Sequence, residues 1–332
     1  MNSFTYSAAT SVQQAVNERS QVQNGAYLGG GTNLLDNLKL GIEQPDHLID
    51  VRHIGLDGIE TLPDGGLRIG ASVRNTKLAY DERVRQQYPA LSEAILSGAS
   101  PQLRNAATTA GNLLQRTRCY YFRDTASACN KRVPGSGCSA IAGINRIHAI
   151  LGTSNRCIAT HPSDMDVAMV AFDATVRTQG PKGQRAIPIA EFYVPYGEDP
   201  AKEHVLEPGE LITGVDLPAT QWFRNSHYVK ARDRASYEFA LASAAVALRV
   251  ENGTVRDCRI ALGGVATKPW RALAAERALR GNKANAEVFR AAVEAELKAA
   301  VPQSHNAFKV ELAKRVVVQA LQAVSTAQAW RK

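Results

Sequence analysis

The chain has 332 residues, of which 45% are hydrophobic and 21% charged. That length predicts two or three domains, and that composition excludes a fibre or a disordered tail. Thirty-nine Lys and Arg against 31 Asp and Glu leave a net charge of +8, which raises nucleic acid, an anionic membrane or an anionic cofactor as partners. Five cysteines are too few for a disulfide-dense secreted scaffold.

The start, Met1-Asn2-Ser3-Phe4-Thr5-Tyr6, has neither the basic nor the apolar region of an export signal. No window approaches the roughly 20 apolar residues that span a bilayer. No membrane insertion is therefore expected, and export would depend on a partner that carries a signal.

In chain order, Thr10-Ser11-Val12-Gln13 reads as a capping box that opens a helix to about Gln21. A strand at Ala26-Tyr27-Leu28 runs into Gly29-Gly30-Gly31-Thr32-Asn33, and Leu34, Leu35, Leu38 and Leu40 suggest a helical turn or two. Leu48–Val51 reads as a strand, and Ile59–Leu62 with Leu67–Gly70 as a hairpin around Pro63-Asp64-Gly65-Gly66. Helical periodicity runs from Thr76 to Leu96. From Gly98 to about Pro162 periodicity is lost and Gly, Ser, Asn, Arg and Cys dominate, the mark of a functional or disordered stretch. A helix is expected at Asp164–Phe172, then strands at Thr175–Thr178, Ala186–Ile189 and Leu211–Leu217. After Pro218 come strands at Ser226–Arg232, Phe239–Val250 and Val255–Val265, the last two joined by an Asn252-Gly253 turn. Helices close the chain at about Trp270–Leu279, Ala284–Lys298 and Ala307–Val324.

Two constellations carry chemistry. Consecutive glycines at 29–31 let backbone N–H groups converge on an anion with no Cβ in the way, and a following helix start adds partial positive charge. The pattern is neither the dinucleotide fingerprint nor the P-loop. Taken alone it also describes an ordinary flexible loop. A second loop, Ala99–Asn105 leading into Thr108-Thr109-Ala110-Gly111-Asn112, offers small residues and hydroxyls to a ring or phosphate.

The second constellation is Cys119, Cys129, Cys138 and Cys157, four of the five cysteines within 39 residues, spaced C-x9-C-x8-C-x18-C. Clustered thiolates bind soft metals. Zinc usually takes close C-x2–4-C pairs, so this wide spacing leans toward an iron–sulfur cluster in a wrapped loop. Two disulfides are the alternative. From Arg116 to Thr160 the segment holds seven Arg and Lys against Asp124 alone, cations that would offset a negative centre. Arg118, Tyr120, Tyr121, Phe122 and Arg123 also fit a stacking platform for a zinc-stabilised nucleic-acid-binding protein, but no such fold signature accompanies them, so no nucleic acid is expected. Cys258 lies in an apolar strand and reads as core.

These motifs, in this order, resemble the FAD-binding subunits of the molybdenum hydroxylases, the xanthine dehydrogenase family, and most of all those of periplasmic aldehyde oxidoreductases. The resemblance rests on Tyr27-Leu28-Gly29-Gly30-Gly31-Thr32-Asn33-Leu34, Gly70–Arg74, Gln102–Asn105, Thr109–Leu113, Ser163-Asp164, Glu210–Thr213, Lys230–Ser236 and Leu262–Ala266. It implies an α+β fold, a two-subdomain FAD-binding region of the PCMH/VAO-like type. A C-terminal domain with an antiparallel sheet and helices follows. The divisions expected are 1–58, then 59–218 with a four-cysteine insertion at about 116–160, then 219–332. In most of the family the Gly-Asn and Ser-Asp elements lie close. Here Asn112 and Ser163 are 51 residues apart, and the cysteines occupy the excess, as in a minority of relatives that hold a [4Fe–4S] cluster there.

The resemblance implies roles for single residues. Tyr27, Leu28, Gly29, Gly30, Gly31, Thr32, Asn33, Leu34 and Leu35 would form the first flavin loop, its amides on the pyrophosphate. Thr108, Thr109, Gly111 and Asn112 would lie along the flavin and diphosphate. Asp164 would accept from cofactor hydroxyls, Ile212 would pack on the isoalloxazine and Lys230 would sit near it. Cys119, Cys129, Cys138 and Cys157 would hold the cluster, mainly as a staple for the loop. The implied function is electron transfer within a heterotrimer with a molybdenum-cofactor large subunit and a [2Fe–2S] small subunit, the electrons leaving to an external acceptor. No nucleophile set or acid–base pair is evident among the seven scattered histidines, and His161 alone stands out, beside Pro162 and near the last cluster cysteine. A stand-alone flavin oxidase is the alternative. The expected location is the periplasm by co-export with a partner, with the cytoplasm as the alternative.

Overall fold

A computed structural model describes residues 1–197 and 199–329. Ser11, not Thr10, caps the first helix: its side chain accepts from the Gln14 amide, and Gln14 reaches back to the Thr10 amide at 2.9 Å. Strands β1 (Thr5–Ala8), β2 (Gly25–Leu28) and β3 (His47–Asp50) form a parallel sheet in the order β1-β3-β2. The glycine loop leaves the end of β2. A second sheet runs β4-β5-β8-β6-β7, from β4 (Ile59–Thr61), β5 (Leu67–Gly70), β6 (Thr175–Gly180), β7 (Gly183–Pro188) and β8 (Leu211–Leu217). Its strands come from both sides of the cysteine segment, so the sheet closes around that excursion.

The expected helix at 76–96 is three helices: Asn75–Tyr80, Glu82–Gln87 and Pro89–Ser97. Asp81 turns its side chain to the Arg83 amide at 3.0 Å as a fresh N-cap. Pro89 then opens the third helix, where its missing N–H costs nothing. The stretch from Gly98 to Pro162 also holds short helices at Pro101–Ala106, Thr109–Leu113, Tyr120–Arg123 and Ser139–Ala142. They are too short for apolar periodicity to appear in sequence.

The C-terminal sheet runs β12-β11-β10-β9, all antiparallel, from β9 (Ser226–Ala231), β10 (Ala242–Glu251), β11 (Thr254–Gly263) and β12 (Trp270–Arg271). Trp270 is therefore strand, and the helix predicted from it starts at Leu273. Asn252 and Gly253 both take positive φ, 50° and 75°, as a two-residue hairpin turn requires. β10 explains its unbroken apolar run by being covered on both faces. Ala245 and Ala247 join the core shared with the helices Pro89–Ser97 and Asp164–Ala171, while Ala244, Val246 and Leu248 join a second core under the helix Phe308–Ala329. One core thus runs across the Pro218 connection. Among the described residues no helix is long and apolar enough to cross a membrane.

His227 on β9 bonds Glu93 of the helix Pro89–Ser97 at 2.8 Å, and that hydrogen bond lifts the imidazole above its ordinary range despite partial burial. A raised pKa in the folded state gives stability that is complete below the unfolded value and is lost as pH rises through the folded one. His227→Gln is expected to lower the urea midpoint more at pH 5.5 than at pH 8.5, as urea titrations at both pH values will report.

Candidate cofactor site and cysteine insertion

Residues 25 to 34 are half-buried without a break. They lie against the turn that precedes the helix Thr109–Leu113. A Cβ on Gly30 would stand 2.1 Å from the Ala106 carbonyl oxygen, and one on Gly29 would stand 2.9 Å from Thr108 Oγ1. Gly31 has φ +73°, a left-handed conformation natural to glycine. Among the described residues, the amides of Gly29, Gly30, Gly31, Thr32 and Asn33 have no acceptor. Asn33 Oδ1 accepts the Arg116 amide at 2.9 Å, while its buried Nδ2 has no partner among the described residues. A row of unpaired donors on a loop pressed too close for side chains is what a pyrophosphate would satisfy.

The other predicted residues frame this loop. Tyr27 donates its hydroxyl to the Gly209 carbonyl at 2.8 Å, and burial pushes its pKa up to about 12. Leu28 ends β2, Leu34 is half-buried and Leu35 is exposed. Thr108 caps the next helix by accepting the Gly111 amide at 3.2 Å. Thr109 is fully buried and gives its hydroxyl to the Val73 carbonyl at 3.0 Å. It therefore holds the turn in place from below. Asn112 Oδ1 accepts from Ser163 Oγ at 2.7 Å. This contact joins the two family elements that the insertion separates by 51 residues. Thr117 closes the neck a second time through the Thr160 carbonyl at 3.0 Å.

Asp164 and Lys230 meet directly. Lys230 Nζ lies 2.7 Å from Asp164 Oδ2 and also donates to the Ser97 carbonyl at 3.1 Å. The Tyr228 hydroxyl takes the other carboxylate oxygen. Asp164 is thus engaged by protein donors on both oxygens, a partnership that spacing of 66 residues gave no sign of. Ile212 lies in the main apolar core, 1% exposed. It supports β8 from within and presents no open face. His161 turns inward to buried Asp166 at 2.7 Å, which also takes the Tyr193 hydroxyl at 2.6 Å.

The four cysteines line one small apolar cluster with Phe122, Ile158 and Tyr196. None forms a disulfide. Cys129 and Cys138 face each other across a short antiparallel bridge. Burial pushes the Cys119 thiol up to about 12 and the Cys157 thiol to about 11, and neighbouring cysteines add to both. Among the described residues, however, no three His, Cys, Asp or Glu side chains converge as ligands of one metal ion. The expected ligand set is therefore not drawn up as a closed single-ion site, which would need four sulfurs each about 2.3 Å from one centre. The four thiols do lie near enough to interact electrostatically, Cys119 with Cys129 and Cys157, and Cys157 with Cys129 and Cys138, a donor set of sulfur alone.

Sequence reasoning missed His148 and the carboxylates that engage the segment's cations. His148 Nε2 lies 3.1 Å from Cys119 Sγ, and burial, helped by the Lys309 charge, pulls its pKa down to about 4. Lys131 is fully buried, bonds Glu203 at 2.7 Å and lies 3.5 Å over the Tyr196 ring. Arg116 bonds Glu43 and Glu203 at 3.0 and 3.3 Å. Two of the side chains that fit a stacking platform are already engaged. Phe122 is buried under Arg116, and Arg123 pairs with Asp36 at 2.8 Å.

Comparison with known proteins gives the same picture. The family model described as FAD binding domain in molybdopterin dehydrogenase matches residues 2–220, and that of the CO dehydrogenase flavoprotein C-terminal domain matches residues 226–324. The aldehyde oxidoreductase FAD-binding subunit PaoB of Escherichia coli (strain K12) is 51% identical, over 97% of this chain and 98% of that protein. The carbon monoxide dehydrogenase medium chain of Hydrogenophaga pseudoflava is 27% identical over 96% of each. A solved structure of carbon monoxide dehydrogenase from that organism matches with a TM-score of 0.77 at 28% identity, covering 98% of both chains. The chain belongs to the family of FAD-binding subunits of the molybdenum hydroxylases, and its N-terminal two-thirds is an FAD-binding domain.

Removing one member of a buried ion pair strands the other charge and costs about 3–5 kcal/mol. Lys230→Met is expected to destabilise the chain by that order in chemical unfolding. Adding Asp164→Asn to it should recover part of the loss.

Proposed function

We propose that the chain is the FAD-carrying, electron-transferring subunit of a heteromeric molybdenum-dependent aldehyde oxidoreductase. Its 51% identity, over nearly the full length, to an aldehyde oxidoreductase FAD-binding subunit supports the substrate class. In this reading the aldehyde is oxidised at a molybdenum cofactor in a large subunit, and a small [2Fe–2S] subunit completes a heterotrimer. An external acceptor takes the electrons. The chain would reach the periplasm by co-export with a partner, with the cytoplasm as the alternative.

The observation that carries the reading is the run of unpaired amides from Gly29 to Asn33, pressed against Ala106 and Thr108. Bound FAD would supply one- and two-electron chemistry, which no side chain here offers. The chain's own residues do the holding. The amides of residues 29–33 would bind the pyrophosphate, with Tyr27, Leu28, Leu34 and Leu35 shaping the loop. Thr108, Thr109, Gly111 and Asn112 would fix the facing turn. Asp164 and Lys230 would form one polar wall, and Ile212 would stiffen the sheet behind. Backbone donors fixed in advance need no rearrangement to meet an anion.

We also assign a [4Fe–4S] cluster to Cys119, Cys129, Cys138 and Cys157, acting mainly as a staple. Support comes from four free thiols around one small apolar cluster that has little core of its own. Buried thiols with raised pKa values must lose their protons on loading, so metal binding and folding of this segment are coupled.

Cofactor content, two variants and turnover by the isolated chain test the assignment. The purified complex should contain one FAD per chain and four irons beyond those of its small subunit. Gly30→Ala, whose Cβ meets backbone at 2.1 Å, should lose at least tenfold in FAD affinity while keeping that iron. Cys129→Ser should lose the iron and weaken assembly. Aldehyde turnover by the isolated chain with FAD alone would instead favour a stand-alone flavin oxidase, and a colourless chain containing zinc would overturn both readings.

A further inference from the structure

His148 is fixed through its backbone, and its ring packs between Tyr121 and Cys119. It is 1% exposed. Its amide donates to the Asn145 carbonyl at 3.0 Å, and its carbonyl accepts from Lys309 Nζ at 2.9 Å and Asn306 Nδ2 at 3.2 Å. Lys309 and Asn306 lie at the start of the C-terminal helix, and Lys309 also grips the Gly264 carbonyl at 2.6 Å. Tyr121 packs beside the ring, with centroids 6.3 Å apart. This framework aims Nε2 at Cys119 Sγ, 3.1 Å away. The other ring nitrogen, Nδ1, is buried with no partner among the described residues.

We infer that His148 is a positioning and tuning residue for Cys119, its Nε2–H donating to the cysteine sulfur of the iron–sulfur centre and raising that centre's reduction potential. The inference rests on the cluster proposed above. The protons decide the tautomer. A metal-bound thiolate carries none, so the contact needs the hydrogen on Nε2, and a neutral imidazole has only that one to give. Nδ1 is then a bare acceptor nitrogen, buried without a donor among the described residues. A hydrogen bond to a cluster sulfur stabilises the reduced, more negative form and lifts the potential. Because Lys309 and Asn306 fix the His148 backbone, the C-terminal domain sets the aim of a group that acts in the insertion.

The test uses the assembled complex. His148→Leu is expected to keep its iron and to shift the midpoint of the four-iron centre downward in an EPR-monitored redox titration. His148→Gln, whose amide can donate from about the same place, should return the midpoint toward wild type. Full iron with an unmoved midpoint in His148→Leu overturns the inference. If His148→Leu loses its iron, pulsed EPR on reduced wild-type complex labelled with 15N-histidine decides. Coupling that vanishes in His148→Gln supports the assignment, and no such coupling overturns it. Absence of four-iron signals and of the extra iron from wild type would overturn the cluster itself, a separate result.

Discussion

Glu203 is the carboxylate on which the insertion turns. It bonds Lys131 at 2.7 Å and Arg116 at 3.3 Å. Burial alone would push its pKa up, yet the two cations outweigh that and hold it below the usual carboxylate range. Burying three charges is costly, and their mutual attraction offsets the cost only when the geometry is tight. Here it is tight. Lys131 also donates to the Pro200 carbonyl at 2.8 Å and covers the Tyr196 ring, so most of its donors are engaged. One carboxylate from the connection before β8 therefore anchors both the entry of the insertion, at Arg116, and its cysteine loop, at Lys131.

This changes the meaning of the basic charge. The segment from Arg116 to Thr160 carries most of the net +8, and its cations are largely spent on anions and carbonyls. The acidic partners in the ion pairs of Arg116, Arg123, Lys131 and Arg146 lie outside the segment: Glu43 and Asp36 near the glycine loop, Glu203 before β8, and Asp233 after β9. Arg132 bonds the carbonyls of Tyr121 and Phe122 at 2.9 and 2.7 Å. A loop with a small apolar core cannot fix its position by hydrophobic burial, which scales with area. Charge-assisted contacts to three neighbouring regions take over that task.

Much of the fold was legible because its signals are local. The Asn252-Gly253 turn, the two-sided apolar run of β10 and the glycine loop each follow from a few adjacent residues. The one long helix read at 76–96 failed because Asp81 and Pro89 interrupt the backbone without disturbing the apolar period. In the candidate site the loops were visible and their partners were not. Nothing near Asp164 announces Lys230 or Tyr228, and nothing near Cys119 announces His148. Glu203, the anchor, lies 72 residues from Lys131. Such pairs form through tertiary packing, which leaves no period in a single sequence. Ile212 shows the converse. A motif position carried over from the family is plain core in this chain, 1% exposed.

The two constellations read separately in sequence are mechanically one. The Arg116 amide, at the insertion's entry, donates to Asn33 of the glycine loop at 2.9 Å, and Arg123 pairs with Asp36 in the helix that follows that loop. At the exit, Ser163 bonds Asn112, in the helix capped by Thr108. The glycine loop rests on the Ala106–Thr108 turn, so both ends of the insertion bear on the two sides of a single anion cradle. Order in the cysteine loop is then order in the cradle. A staple in the insertion would stabilise the arrangement of donors that an anionic cofactor meets. This gives a physical reason for an added thiol cluster in a flavin-binding chain that is independent of whether electrons ever visit it.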